Sequence, residues 1–185
     1  MNPLRHKSGT MRRTTLAVAT LTVAAAATTS ILAAGAQATG GSAATPCATT
    51  EHSAVPKLAC EWAAAWNGTN PGALGALFTH NGTYTDEAVG VTMSGPAQIS
   101  GWKSRTDLLI ADVHDTVVTS YRSGEHITVE SVYAGHIKGA PHAFAVPMAT
   151  TLVVAGDRIT ADKDYYNLNA VLTQSGLPTD WKPTQ

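Results

Sequence analysis

From Thr116 onward, polar and apolar positions alternate almost residue by residue. The runs TVVTSY, HITVESVYAGHI, FAVPMATTLVV and RITADKDYY are parted by SGE, KGAPH and AGD. A period of two marks strands with one face on a core, and short glycine-bearing connections make hairpins. The spacing predicts four long strands in an antiparallel meander. Upstream the period lengthens: Val55, Leu58, Ala59, Trp62, Ala63 and Trp66 recur at helical intervals, with Asn67-Gly68 as a stop, so a helix is expected over 54–66. Asn70 caps a second short helix with Pro71 in its first position and Leu74, Leu77 and Phe78 on its apolar face. In HNGTYTDEAVG, Asn81-Gly82 reads as a turn and Thr83 to Asp86 as a short strand. Pro96 opens a third helix with Ile99, Trp102, Leu109 and Ile110 inward, and Leu168 to Gln174 forms a last helical turn before Ser175-Gly176. Helices followed by a meander predict an α+β domain, with the helices on one face of a curved antiparallel sheet.

The first residues have a different character. Arg5, Lys7, Arg12 and Arg13 precede an uncharged stretch of Ala, Thr, Val and Leu that ends at Ala36-Gln37-Ala38. A basic segment, an apolar segment and an A-x-A site describe a secretory signal peptide over 1–38, starting at Met1 or Met11. The rival reading is an uncleaved anchor, which the Ala and Thr content disfavours. Cleavage would leave a flexible tail over 39–53, a domain over 54–178 and a short tail over 179–185, in a secreted protein with no stable membrane span. The leader takes four of the 12 Lys and Arg, so residues 39–185 keep eight against all 13 Asp and Glu, a formal charge of −5. Without a basic stripe, nucleic acid is not an expected partner. Cys47 and Cys60, with 12 residues between them, read as one disulfide in an exported protein. The seven histidines match neither HxH nor HExxH spacing, so no metal is expected. No glycine-rich phosphate loop or nucleophile elbow is present, and no cofactor is expected.

The order of elements, with TYTDEAVG after two helices and I-x-x-x-x-D-Y-Y-N-L…Q-x-G-L at the end, resembles the SnoaL-like branch of the nuclear transport factor 2-like superfamily. The resemblance covers roughly residues 54 to 177. It implies a cone, the sheet wrapped around a long helix, whose mouth admits a small molecule. Relatives include polyketide cyclases, ketosteroid isomerases and limonene epoxide hydrolases, so the fold alone does not decide function. By the isomerase pattern the general base falls on Asp86, while the oxyanion donors fall on Trp62 and Ala149. By the epoxide hydrolase pattern the water-activating set falls on Asp164, Tyr84 and Asp86, and its arginine and second aspartate fall on Ser131 and Tyr133.

On the last strand Asp162, Asp164 and Tyr166 share one face. If that face is the pocket, Asp162 lies nearer the rim and repulsion between the two carboxylates raises one pKa, giving an acid and a base in one site; if the strand is an edge, both are solvated. The same parity turns Val129, Ser131 and Tyr133 inward, with Ala145, Ala149 and Thr151 subject to a register uncertainty of one residue. Such a lining suits a small apolar ligand held by a few hydrogen bonds. Two functional readings stand: a non-catalytic module that binds a small, largely apolar molecule, with Trp62, Tyr84, Val129, Ser131, Tyr133, Asp162 and Tyr166 around it, or a cofactor-independent cyclase or isomerase using Asp86 and Asp164 for proton transfer. Sheets of the fold it resembles often pair through their outer faces, so the resemblance implies a homodimer, with Thr128, Glu130, Val132 and Ala134 presenting a mixed surface there.

Overall fold

The computed structural model describes Cys47 and residues 55–183. The expected signal peptide and all of the expected N-terminal tail but Cys47 lie outside the described residues. Among the described residues no helix is long and apolar enough to cross a membrane.

Helix α1 spans Lys57–Asn67, starting after Pro56 and later than expected, and buries Leu58, Ala59, Trp62, Ala63, Ala65 and Trp66. Helix α2, Pro71–Ala76, is capped by the Asn70 side chain, which accepts from the Gly72 N–H. Strand β1 is longer than the sequence predicts, Phe78–Asp86. The expected turn at Asn81-Gly82 is a bulge inside it, where pairing with the last strand shifts between Phe78 and Thr83. Gly82 belongs there because a Cβ would lie 2.9 Å from the Ile159 carbonyl oxygen. Strand β2, Val91–Ser94, is a short edge the alternation did not reveal. Helix α3, Gly95–Leu109, leads into β3, Ile110–Ser123. Strands β4, His126–Ile137, β5, Phe144–Ala155, and β6, Arg158–Tyr166, complete the meander, and α4, Leu168–Gln174, follows.

The six strands form one sheet in the order β2-β1-β6-β5-β4-β3. The sheet is mixed: β1 pairs with β6 in parallel, and the other pairings are antiparallel. Its register stacks the inward residues in layers. Tyr84, Asp162, Leu152 and Ile127 form one layer; Asp86, Asp164, Thr150 and Val129 form the next; Tyr166, Met148 and Ser131 form a third; Val146, Tyr133 and Asp115 form a fourth. On β5, therefore, Val146, Met148 and Thr150 point inward, and the parity that favoured Ala145, Ala149 and Thr151 is off by one. Thr128 and Glu130 are exposed on the outer face, with Val132 and Ala134 half-buried.

Helix α1 lies across the concave face and touches both of its sides. Trp62 Nε1–H donates to Asp162 on β6 at 2.9 Å. At the other end Asn67 brackets the backbone of Asp115 on β3, accepting its N–H at 2.6 Å and donating to its carbonyl at 3.0 Å. Cys47 is bonded to Cys60 on α1, as expected. Within 179–185, expected as a tail, Trp181 is half-buried and packs against the core.

Candidate active or binding site

Between the concave face, α3 and α4 lies a cavity of about 730 Å³. Aromatic and aliphatic side chains dominate its wall, including Trp66, Trp102, Tyr133, Met148 and Ile110. Trp181, Lys182 and Pro183 close part of it. Three carboxylates reach the cavity from three strands: Asp86 from β1, Asp115 from β3 and Asp164 from β6. All three are at most 4% exposed. Burying an ionised carboxylate in such a wall is costly, so each must be hydrogen-bonded, protonated or paired with something else.

Asp164 is held by two hydroxyls. Tyr84 O–H donates to its Oδ2 at 2.8 Å, and Thr150 O–H donates to its Oδ1. Burial pushes its pKa up to about 7, against the pull of those two donors and with a further push from the Asp86 charge. Asp86 accepts from Tyr166 O–H at 2.9 Å and from the Val89 N–H at 2.8 Å. Its pKa is also raised by burial, and the two donors partly offset that. Asp115 is raised well above the carboxylate range, by burial first and then by the Asp164 charge, while Lys103 pulls it down. Its Oδ1 meets no hydrogen-bond partner among the described residues. Burial raises the pKa values of Tyr84, Tyr133 and Tyr166 as well, so all three stay phenols and can donate.

Asp162 is not at the rim. It is wholly enclosed in the innermost of these layers beneath α1, with Oδ2 accepting from Trp62 and Oδ1 unpartnered among the described residues. It is absent from the cavity wall. Period two gave the face of this residue; its depth depends on Trp62, which covers it. Burial and the neighbouring Asp164 charge hold Asp162 well above the usual carboxylate range. Val129 and Ser131 are buried one and two layers further along and likewise do not reach the wall. The structure thus gathers Asp86, Asp164, Tyr84, Tyr133 and Tyr166 around one cavity and sets Trp62, Val129, Ser131 and Asp162 behind it. Both aspartates of the last strand face inward, so the edge-strand alternative does not hold.

Asp115 was missed because β3 begins six residues before the TVVTSY run. The strand shifts register between Ala111 and His114, around Asp112 at φ 55°, and this breaks the alternation that would have exposed it. Lys103 was missed too, since a lysine on an amphipathic helix reads as solvated. It is 1% exposed and donates to the Gly68 carbonyl at 3.0 Å and to Asp107 at 2.6 Å. Among the described residues no three His, Cys, Asp or Glu side chains are placed to hold a metal ion.

A sequence profile of the SnoaL-like domain matches residues 59–161. Among solved structures, a protein of ketosteroid isomerase-like fold from Catenulispora acidiphila, crystallised in complex with trimethylamine, is 60% identical with a TM-score of 0.70. The match covers 70% of this chain and 100% of that one. A candidate polyketide cyclase from Xanthomonas campestris matches at 20% identity and TM-score 0.57, over 64% of this chain and 93% of its own. A candidate SnoaL-like polyketide cyclase from Shewanella denitrificans matches at 16% identity and TM-score 0.57, over 63% and 93%. At such identities the last two likenesses are of fold alone. No curated protein matches the chain.

Proposed function

The chain belongs to the SnoaL-like domain family, and on that premise we propose that it is an exported protein whose cone binds a small, largely apolar molecule carrying a basic amine. The lining carries this reading: three buried carboxylates sit in a wall that is mainly aromatic and aliphatic, with Arg105, Thr106 and Lys182 as its other polar or charged members. A cationic head group would supply the charge those carboxylates lack, and its alkyl groups would rest on ring faces, an attraction of roughly 0.5 to 2 kcal/mol for each ring. The trimethylamine bound by the 60% identical relative is a ligand of this chemistry. A head group of that size fills only part of about 730 Å³, which leaves room for an apolar body.

Calorimetric titration of the exported protein with trimethylammonium chloride, and with tert-butanol as a neutral molecule of similar shape, tests the reading. Binding of the cation and not the alcohol supports it; equal binding, or none, rejects it. Export itself predicts that intact mass analysis of the secreted protein finds Thr39 at its N-terminus, whereas residues 14–34 retained in a membrane fraction would reject cleavage.

One observation favours a second reading, a cyclase or isomerase. Asp164 sits near neutrality, within the same wall as Asp86, and a carboxyl titrating there can take and return a proton at neutral pH. Mass spectrometry of small molecules retained by the protein, before and after incubation, separates the two: a ligand recovered unchanged favours binding alone.

A further inference from the structure

Resting on the amine reading above, we propose that Asp115 is the anchor for the ligand's head group, and that the site therefore selects an amine bearing an N–H, a protonated tertiary amine over a quaternary ammonium. Hydrogen bonding distinguishes the three carboxylates. Asp164 has a hydroxyl on each oxygen, from Thr150 and Tyr84. Asp86 has Tyr166 on one oxygen and the Val89 N–H on the other. Of the three carboxylates in the wall, Asp115 alone keeps an oxygen (Oδ1) without a partner among the described residues, and the residue is 2% exposed. A buried acceptor in that state is costly until a donor arrives.

The residue is also held still. Asn67 clamps its backbone at both polar groups, and Tyr133 is its direct cross-strand neighbour on β4. Tyr133 packs edge-on against Tyr166, with ring centres 5.3 Å apart, so the carboxylate stands beside a fixed aromatic surface. A trialkylammonium fits this arrangement twice: its N–H donates to Asp115, and its alkyl groups meet the rings. A tetraalkylammonium keeps the charge and the ring contacts but has no proton to give.

The test compares trimethylammonium with tetramethylammonium on the wild-type protein and on Asp115→Asn, by calorimetry at neutral pH. The wild type should bind trimethylammonium about tenfold or more tightly than tetramethylammonium, the value of a hydrogen bond to a charged group. Asp115→Asn should lower trimethylammonium affinity by a similar factor and abolish the preference. Should Asp115→Asn fail to fold, the wild-type pair alone decides. Tetramethylammonium bound as tightly as trimethylammonium, or a preference that survives Asp115→Asn, overturns the anchor and leaves the amine reading standing. Binding of neither cation overturns both.

Discussion

Replacing Asp164 with Asn keeps the shape of the side chain and leaves both hydroxyls within reach, and removes its ability to ionise. An unfolded aspartate titrates at about 3.9, and burial in the cone pushes Asp164 up to about 7. Between those two values the folded protein holds the proton more tightly than the unfolded chain. Stability contributed by this group is therefore present in acid and is lost as pH rises through the folded value. The loss is about 1.4 kcal/mol for each pH unit crossed, so about 4 kcal/mol in all, as an order of magnitude. Asp164→Asn cannot suffer that loss. Near pH 4 the variant should match the wild type or fall about 1 kcal/mol below it, because one of the two hydrogen bonds must reverse direction. Near pH 8 it should be more stable by several kcal/mol. Asp162, coupled through its like charge, shifts in the same sense and does not change the sign. Urea unfolding at half-unit steps from pH 4 to 8 measures this directly. Parallel profiles for the two proteins would mean that Asp164 is ionised and solvated in the folded state, and the reasoning from burial would fail.

Gly75 in α2 faces α3, and an added Cβ would run into the Ser100 side chain and the Pro96 carbonyl. Gly75→Ala should cost about 1–3 kcal/mol in urea unfolding while leaving amine affinity unchanged, since α2 does not wall the cavity; a stability equal to wild type would refute the contact. Replacing both Cys47 and Cys60 with Ala should cost about 3 kcal/mol, the entropy of a loop of this size. The wild-type protein under reductant should lose as much, and an unchanged unfolding midpoint would show that the bridge constrains little.

The parts of the fold that were legible are those where local pattern and tertiary structure agree. The boundaries of β4 and β6 coincide with HITVESVYAGHI and RITADKDYY, because β4 alternates between two glycine turns and β6 between a glycine turn and the Asn167 cap of α4. The bulge at Gly82 and the four-residue β2 were not legible, since a two-residue irregularity mimics a turn and a short edge carries no period. Asp86, Asp164, Tyr84, Tyr133 and Tyr166 were placed on the concave face by parity and resemblance. The depth of Asp162 and the inward turn of Asp115 were beyond that reasoning. Each depends on a residue of α1 about 50 to 100 positions away, Trp62 over the one and Asn67 clamping the other.

A crystal structure of the protein grown with saturating trimethylammonium would locate the head group. The cation should lie inside the cone, its nitrogen within hydrogen-bond reach of the Asp115 carboxylate and its methyl groups against aromatic rings of the wall. A cone holding only water at saturating amine, or the cation seated elsewhere on the molecule, would contradict that placement.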